Sequence, residues 1–124
     1  MKVKISTKEK FHVISVEEET LTANMAGEIE NTCLSFLENE IRNVVVNMGE
    51  VMEVEMAAAE VLVSLQQKFY DSKSSFVICC VNKEIAKILD EKEMLDMLNI
   101  TPSESEAWDI VQMEEIEREL MEGE

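Results

Sequence analysis

Val44-Val45-Val46-Asn47-Met48-Gly49-Glu50-Val51-Met52-Glu53-Val54-Glu55-Met56-Ala57-Ala58-Ala59-Glu60-Val61-Leu62 changes its character midway. Three β-branched residues in a row read as a strand covered on both faces. Asn47-Met48-Gly49 breaks the run, and a short acidic connection leads into an Ala-rich stretch with helical spacing. A strand passing through a loop into a helix is a building unit of α/β folds, and the loop after the strand is where such folds place working residues. From Asn47 to Val63 there is no Ser, Thr, Cys, His or Lys. The junction therefore lacks the side chains needed for covalent chemistry.

Working outward, the same alternation of element types recurs. Val3 and Ile5 alternate with Lys2 and Lys4 as in an edge strand, Lys8-Glu9-Lys10 turns the chain, and Phe11 to Val16 forms a second strand antiparallel to the first. Thr22 caps a helix expected over residues 23–40. The helix after the opening loop runs from Met56 to Tyr70. Phe76 to Val81 reads as a fourth strand, apolar on both faces, and Asn82 caps a helix to about Leu89 whose pattern resumes at Met94-Leu95-Asp96-Met97-Leu98. Thr101-Pro102-Ser103-Glu104-Ser105-Glu106 is a strong helix start. The last helix is expected to reach Met121, with Ala107, Ile110, Val111, Met113, Ile116 and Leu120 as its apolar positions. The order β-β-α-β-α-β-α-α predicts an α/β fold in one domain over residues 1–124. Its mixed, mainly parallel sheet would have four strands, with about four helices.

Composition narrows the function classes. The chain has 124 residues with a formal net charge of −16, from 27 acids against 11 bases. Phosphate backbones and anionic lipid surfaces repel such a surface, so neither nucleic acid nor a membrane is an expected partner. A basic patch on a protein is compatible with it, as is plain solubility. Cys33, Cys79 and Cys80 are odd in number, and the start of the chain carries no apolar signal segment; both point to free thiols and a cytoplasmic setting. As strand neighbours, Cys79 and Cys80 are expected to face opposite ways, buried in the core. His12 is the only His, so no Ser-His-Asp or Cys-His set is available, and Asp71-Ser72-Lys73-Ser74 lacks the spacing of a calcium loop. No catalytic, metal or cofactor site is expected. Trp108 reads as a core or docking residue.

Two segments resemble the STAS domain, the fold of bacterial anti-sigma factor antagonists and of the cytoplasmic tails of sulfate transporters. Leu21, Ala23, Ala26 and Glu28-Ile29 fit the family's passage from second strand into first helix, with Glu19 and Thr22 in place of its Gly and Asp. Asn47-Met48-Gly49 stands where the family reads Asp-Leu-Ser. Glu55-Met56-Ala57-Ala58-Ala59 stands, without a gap, where it reads Asp-Ser-Ser-Gly-Leu.

The resemblance implies a regulatory protein that binds a partner, such as an anti-sigma factor, through Asn47, Met48, Gly49, Glu53, Glu55, Met56, Ala57 and Ala58. It also implies that the Ser phosphorylated in the family falls on Ala57. Glu50, Glu53 and Glu55 would repel a phosphate there, by about 1 kcal/mol per close pair in water. They would also suit the helix dipole, so that built-in carboxylates take the anion's place. The same residues read equally as good helix formers after a solvated loop. Met48, Met52 and Met56 read either as an adaptable contact patch or as core. The alternative role is that of a scaffold subunit in a transport complex, such as a lipid-transport ATPase.

Overall fold

The computed structural model describes residues 2–122. Twelve elements follow one another: β1 (Val3–Thr7), β2 (Phe11–Val16), β3 (Thr20–Leu21), α1 (Ala23–Phe36), β4 (Asn43–Asn47), β5 (Glu53–Val54), α2 (Met56–Asp71), β6 (Phe76–Cys79), α3 (Lys83–Glu91), a 3₁₀ turn (Leu95–Met97), β7 (Ile100–Thr101) and α4 (Glu104–Glu122).

The main sheet has the order β1-β2-β4-β6-β7. β1 pairs antiparallel with β2, and β4, β6 and β7 join in parallel, with Ile14 beside Val46 and Val46 beside Ile78. The edge hairpin and parallel core match the sequence reading, but the sheet has five strands rather than four. The added strand, β7, is two residues long and immediately precedes the helix start, so it leaves no alternation to detect.

Three crossovers step in one direction across the sheet. Right-handed connections of that kind place their helices on one face. Ile14, Val16, Val44, Val46, Phe76 and Ile78 on that face pack with Ile29, Cys33, Leu62, Leu65, Phe69 and Ile85 from α1, α2 and α3. Once β7 reaches the far edge, α4 returns over the other face, where Ala107 and Val111 lie against Val13, Val45 and Val77 and Trp108 stacks on Phe11 at 4.9 Å. Val44, Val45 and Val46 have no exposed surface, as an unbroken β-branched strand requires.

Several boundaries differ from expectation. α1 ends at Phe36, because residues 37–40 leave the helix in turns. The expected continuation of α3 is interrupted at Glu93, whose φ of 59° ends the helix before the 3₁₀ turn. β6 stops at Cys79 because Cys80 adopts φ 64°. The apolar positions of α4 divide between two sides of the helix: Ala107 and Val111 are buried, while Met113, Ile116 and Leu120 are exposed. His12 is buried and stacks on Phe36 with ring centroids 3.8 Å apart, its Nε2 donating to the carbonyl of Ile41.

At the amino end of the parallel strands, buried Asn43 ties α4 to the sheet. Its Nδ2 donates to the carbonyl of Lys10 and to Glu115, and its Oδ1 accepts from the Ser75 N–H and from Arg118. Removing this side chain leaves buried partners unpaired, each at about 1–3 kcal/mol. Asn43→Ala is expected to lower unfolding free energy by about 2 kcal/mol or more in urea titration. A loss under about 0.5 kcal/mol, the range of an ordinary surface change, would show that Asn43 does not anchor α4.

Candidate functional site

The short parallel pair β3–β5 sets up the site. Thr20 lies beside Glu53 and Leu21 beside Val54, and the N–H groups of Met52 and Glu53 donate to the carbonyl of Glu19. Because the pairing is parallel and each strand leads directly into a helix, α1 and α2 begin side by side. Thr22 accepts the Met25 N–H at 3.3 Å and caps α1 as the sequence indicates. Glu55 is the N-cap residue of α2, yet its carboxylate reaches across and accepts the Ala23 N–H of α1 at 2.8 Å. No side chain caps α2 among the described residues. The expected substitution of carboxylates for an anion at α2 is thus displaced to the neighbouring helix. Glu50 and Glu53 are exposed and make no side-chain hydrogen bond among the described residues.

The loop between β4 and β5 is held from inside. Asn47 Oδ1 accepts the Gly49 N–H at 2.9 Å, closing the turn, and Asn47 Nδ2 lies 3.4 Å from Glu104 of α4. Met48 donates to the carbonyl of Cys79, and Asn82 donates to the carbonyl of Val51. Met48 and Val51 are each 1% exposed, and with these two anchors inside, Gly49, Glu50 and Met52 are left outside. A Cβ on Gly49 would meet Asn47 Oδ1 at 3.1 Å and the Cys80 Cβ at 3.6 Å, so glycine keeps this turn close to β6.

Of the residues that sequence reasoning assigns to the site, Gly49, Glu53, Glu55 and Ala57 are exposed, and Asn47 and Met56 are half-buried. Met48 and Ala58 lie in the core and hold the loop and helix from within rather than facing a partner. The three Met residues therefore divide: Met48 is core, Met56 intermediate, and Met52 is 58% exposed.

Beside them a groove of about 290 Å³ runs between the start of α2 and α3, walled by Met52, Val54, Met56, Ile85, Ile88 and Leu89, with Glu53 and Glu84. The α3 wall went unseen in the sequence, because only the crossover brings Ile85 and Ile88 opposite Met56. A larger hollow of about 660 Å³ lies at the far end of the sheet, around Arg42, Lys73, Glu115 and Arg118. Some of its polar groups bond within the fold: Arg42 donates to the carbonyl of Ser72, Arg118 to Ser75 and Asn43, and Glu115 accepts from Asn43, while the buried Arg42 Nε has no partner among the described residues. The groove at α2, apolar with an acidic margin, has the better form for a docking surface.

Cys79 and Cys80 sit behind the loop. They do not point apart as strand neighbours would. With Cys80 in the left-handed region, both side chains pack in the cluster beneath α4. Burial pushes the Cys79 thiol far up, reinforced by Cys80 and the Glu104 carboxylate. Burial likewise raises Cys33 from 9.0 to about 12, with Glu30 adding to it. Thiols held protonated in this way are weak nucleophiles. No cluster of three or more His, Cys, Asp or Glu side chains suited to a metal occurs among the described residues.

The chain matches the STAS domain over residues 2–107. It belongs to the STAS domain family. Solved structures agree at the level of the fold. A STAS domain protein from Planctomyces limnophilus, described as an anti-sigma-factor antagonist, superposes with a TM-score of 0.75 at 17% identity, covering 89% of this chain and 97% of its own. An anti-sigma factor antagonist from Mycobacterium paratuberculosis gives 0.75 at 12% identity, covering 90% and 93%. The murine anion transporter Slc26a9 gives 0.66 at 10% identity over 84% of this chain but 18% of its own. No curated sequence matches. No helix among the described residues is long and apolar enough to cross a membrane.

Three outcomes follow from the geometry of this STAS domain. In the native protein at neutral pH, Cys80 alone should react quickly with a thiol reagent, and all three Cys should react in urea; fast native labelling of Cys33 in a mass spectrum would contradict its burial. Cys33 also couples stability to pH. The folded thiol keeps its proton up to about 12 while the unfolded one loses it near 9.0, so its contribution is complete below pH 9 and is lost as pH climbs towards 12. The urea midpoint should fall over that window, and less steeply in Cys33→Ala. Separately, Glu55→Ala should cost about 1 kcal/mol through the lost α1 cap, and Glu55→Gln clearly less.

Proposed function

We propose that this STAS protein is a non-enzymatic regulatory module. It binds a protein partner of the anti-sigma factor type through the loop after β4, the start of α2 and the adjoining groove. It does so without being switched by phosphorylation at α2. The observation that carries the reading is the surface at the first turn of α2. Ala57 is exposed there and offers no hydroxyl; the resemblance of Glu55 to Ala59 to the family motif supports reading it in the place of the phosphorylated Ser. Exposed Met52 and half-buried Met56 line the groove, which continues the apolar surface onto α3. Exposed Met adapts its shape to a partner at low cost. Exposed Glu50, Glu53 and Glu84 favour a partner with basic residues around its contact and disfavour a phosphate or nucleotide at the same place. Without an acceptor hydroxyl, binding would not be turned off by the kinase activity that regulates the family.

The occurrence of the same fold as 18% of Slc26a9 supports a second reading, in which the domain is a scaffold subunit of a transport complex, such as a lipid-transport ATPase. The two readings place the partner in different compartments of the cell extract.

The test is to mix the purified protein with the kinase-type anti-sigma factor of its own cell and ATP. Wild type should bind and remain unphosphorylated, Ala57→Ser should gain phosphate, and Met52→Asp should weaken binding by about tenfold or more, as for a truncated contact centre. Phosphorylation of wild type near the loop, or no binding together with co-purification of a membrane ATPase, would overturn the leading reading, the latter in favour of the second.

A further inference from the structure

α4 carries more apolar residues than the sheet can cover. At 3.6 residues per turn, Ala107 and Val111 define the side that meets the sheet, and Met113, Ile116 and Leu120 fall roughly opposite it. The burial agrees: Ala107 and Val111 are fully covered, while Met113, Ile116 and Leu120 are 51%, 57% and 68% exposed. Most of α4, from Trp108 on, also lies beyond residues 2–107, the stretch that matches the family. The exposed three are spaced by three and four residues, the spacing of one strand of a coiled coil, with Met113 and Leu120 at equivalent positions and Ile116 between them.

The flanks of this stripe select its occupant. Glu117 borders one side and Glu119 the other, both exposed and neither held in an ion pair among the described residues, where the one ion pair is Lys68–Glu30. These are the places from which coiled-coil helices choose partners by charge. A second copy of the chain would set carboxylates against carboxylates, with a net charge of −16 on each molecule. An anionic bilayer is disfavoured for the same reason.

We infer that the outer face of α4 is a second docking surface, separate from the groove at α2, and that its occupant is an amphipathic helix of another protein with Lys or Arg beside its own apolar stripe. The stripe spans about two turns, roughly 10 Å. Such a contact is weak alone and acts best when the same partner, or a tethered one, is also held elsewhere.

Three synthetic peptides test this against the intact protein by chemical-shift mapping at near-physiological salt. The first has Leu and Ile at the core heptad positions and Lys on the flanks. The second is a scramble of the same composition, and the third replaces the flanking Lys by Glu. The first should bind about tenfold or more tightly than the scramble and shift resonances from Met113 to Leu120. The third should not bind. Ile116→Ser and Leu120→Ser should each abolish that preference while leaving the urea midpoint unchanged, since both side chains are exposed. Equal binding of the scramble, shifts confined to other surfaces, or a dimer in sedimentation that the two substitutions dissolve would each overturn the proposal. None of these outcomes bears on the α2 groove, whose test uses Met52 and Ala57.

Discussion

β4 is the constraint on which the rest depends. Val44, Val45 and Val46 alternate between the two sides of the sheet, and none has any exposed surface. At about 25 cal/mol per Å², three buried valines favour only arrangements with strands on both edges of β4 and helices over both faces. Parallel pairing to β2 and β6 satisfies the edges. The crossover helices α1 and α2 cover one face. The other is left to α4, which must return from the far edge of the sheet, and Asn43 at the head of β4 holds it there through Glu115 and Arg118.

The same strand places the candidate surface. β4 ends at Asn47, whose side chain closes the following turn onto Gly49, and Met48 and Val51 anchor that turn inside. What remains outside is Gly49, Glu50 and Met52, delivered to the start of α2. The small β3–β5 pairing then aligns the beginnings of α1 and α2, so that Glu55, at the head of one helix, caps the other. A carboxylate that a one-dimensional reading assigns to α2 is thus committed to α1. The start of α2 is left with Ala57 and no capping side chain among the described residues, so its first N–H groups lack a built-in carboxylate partner.

The two thiols behind the loop show how one backbone angle changes a reading. In a strand, Cys79 and Cys80 would face opposite sides. With Cys80 at φ 64°, at a cost of about 1–2 kcal/mol for a residue with a Cβ, the strand ends two residues early and both side chains pack on the α4 face, Cys80 next to Gly49. The strain is located where the sheet stops and the candidate surface starts.

Element order, helix caps and the parallel core were legible in the sequence, because each is local. Thr22, Asn82 and Ser103 cap the helices they precede by bonding N–H groups three residues on, and Val44 to Val46 carry their own evidence of burial. The family resemblance rested on two short segments of that kind, and the family match bears it out. The two-residue strands β3, β5 and β7 were not legible, since nothing so short has a period. Nor was the division of Met48 from Met52, or of Val111 from Ile116, visible in spacing alone. Which side of a loop or helix turns inward depends on what the rest of the chain brings against it. The sequence alone determined that a strand–loop–helix unit without reactive side chains lies at the centre of an α/β domain. Only the tertiary structure decided which of its residues face outward, because burial is a property of the neighbours that long-range pairing supplies.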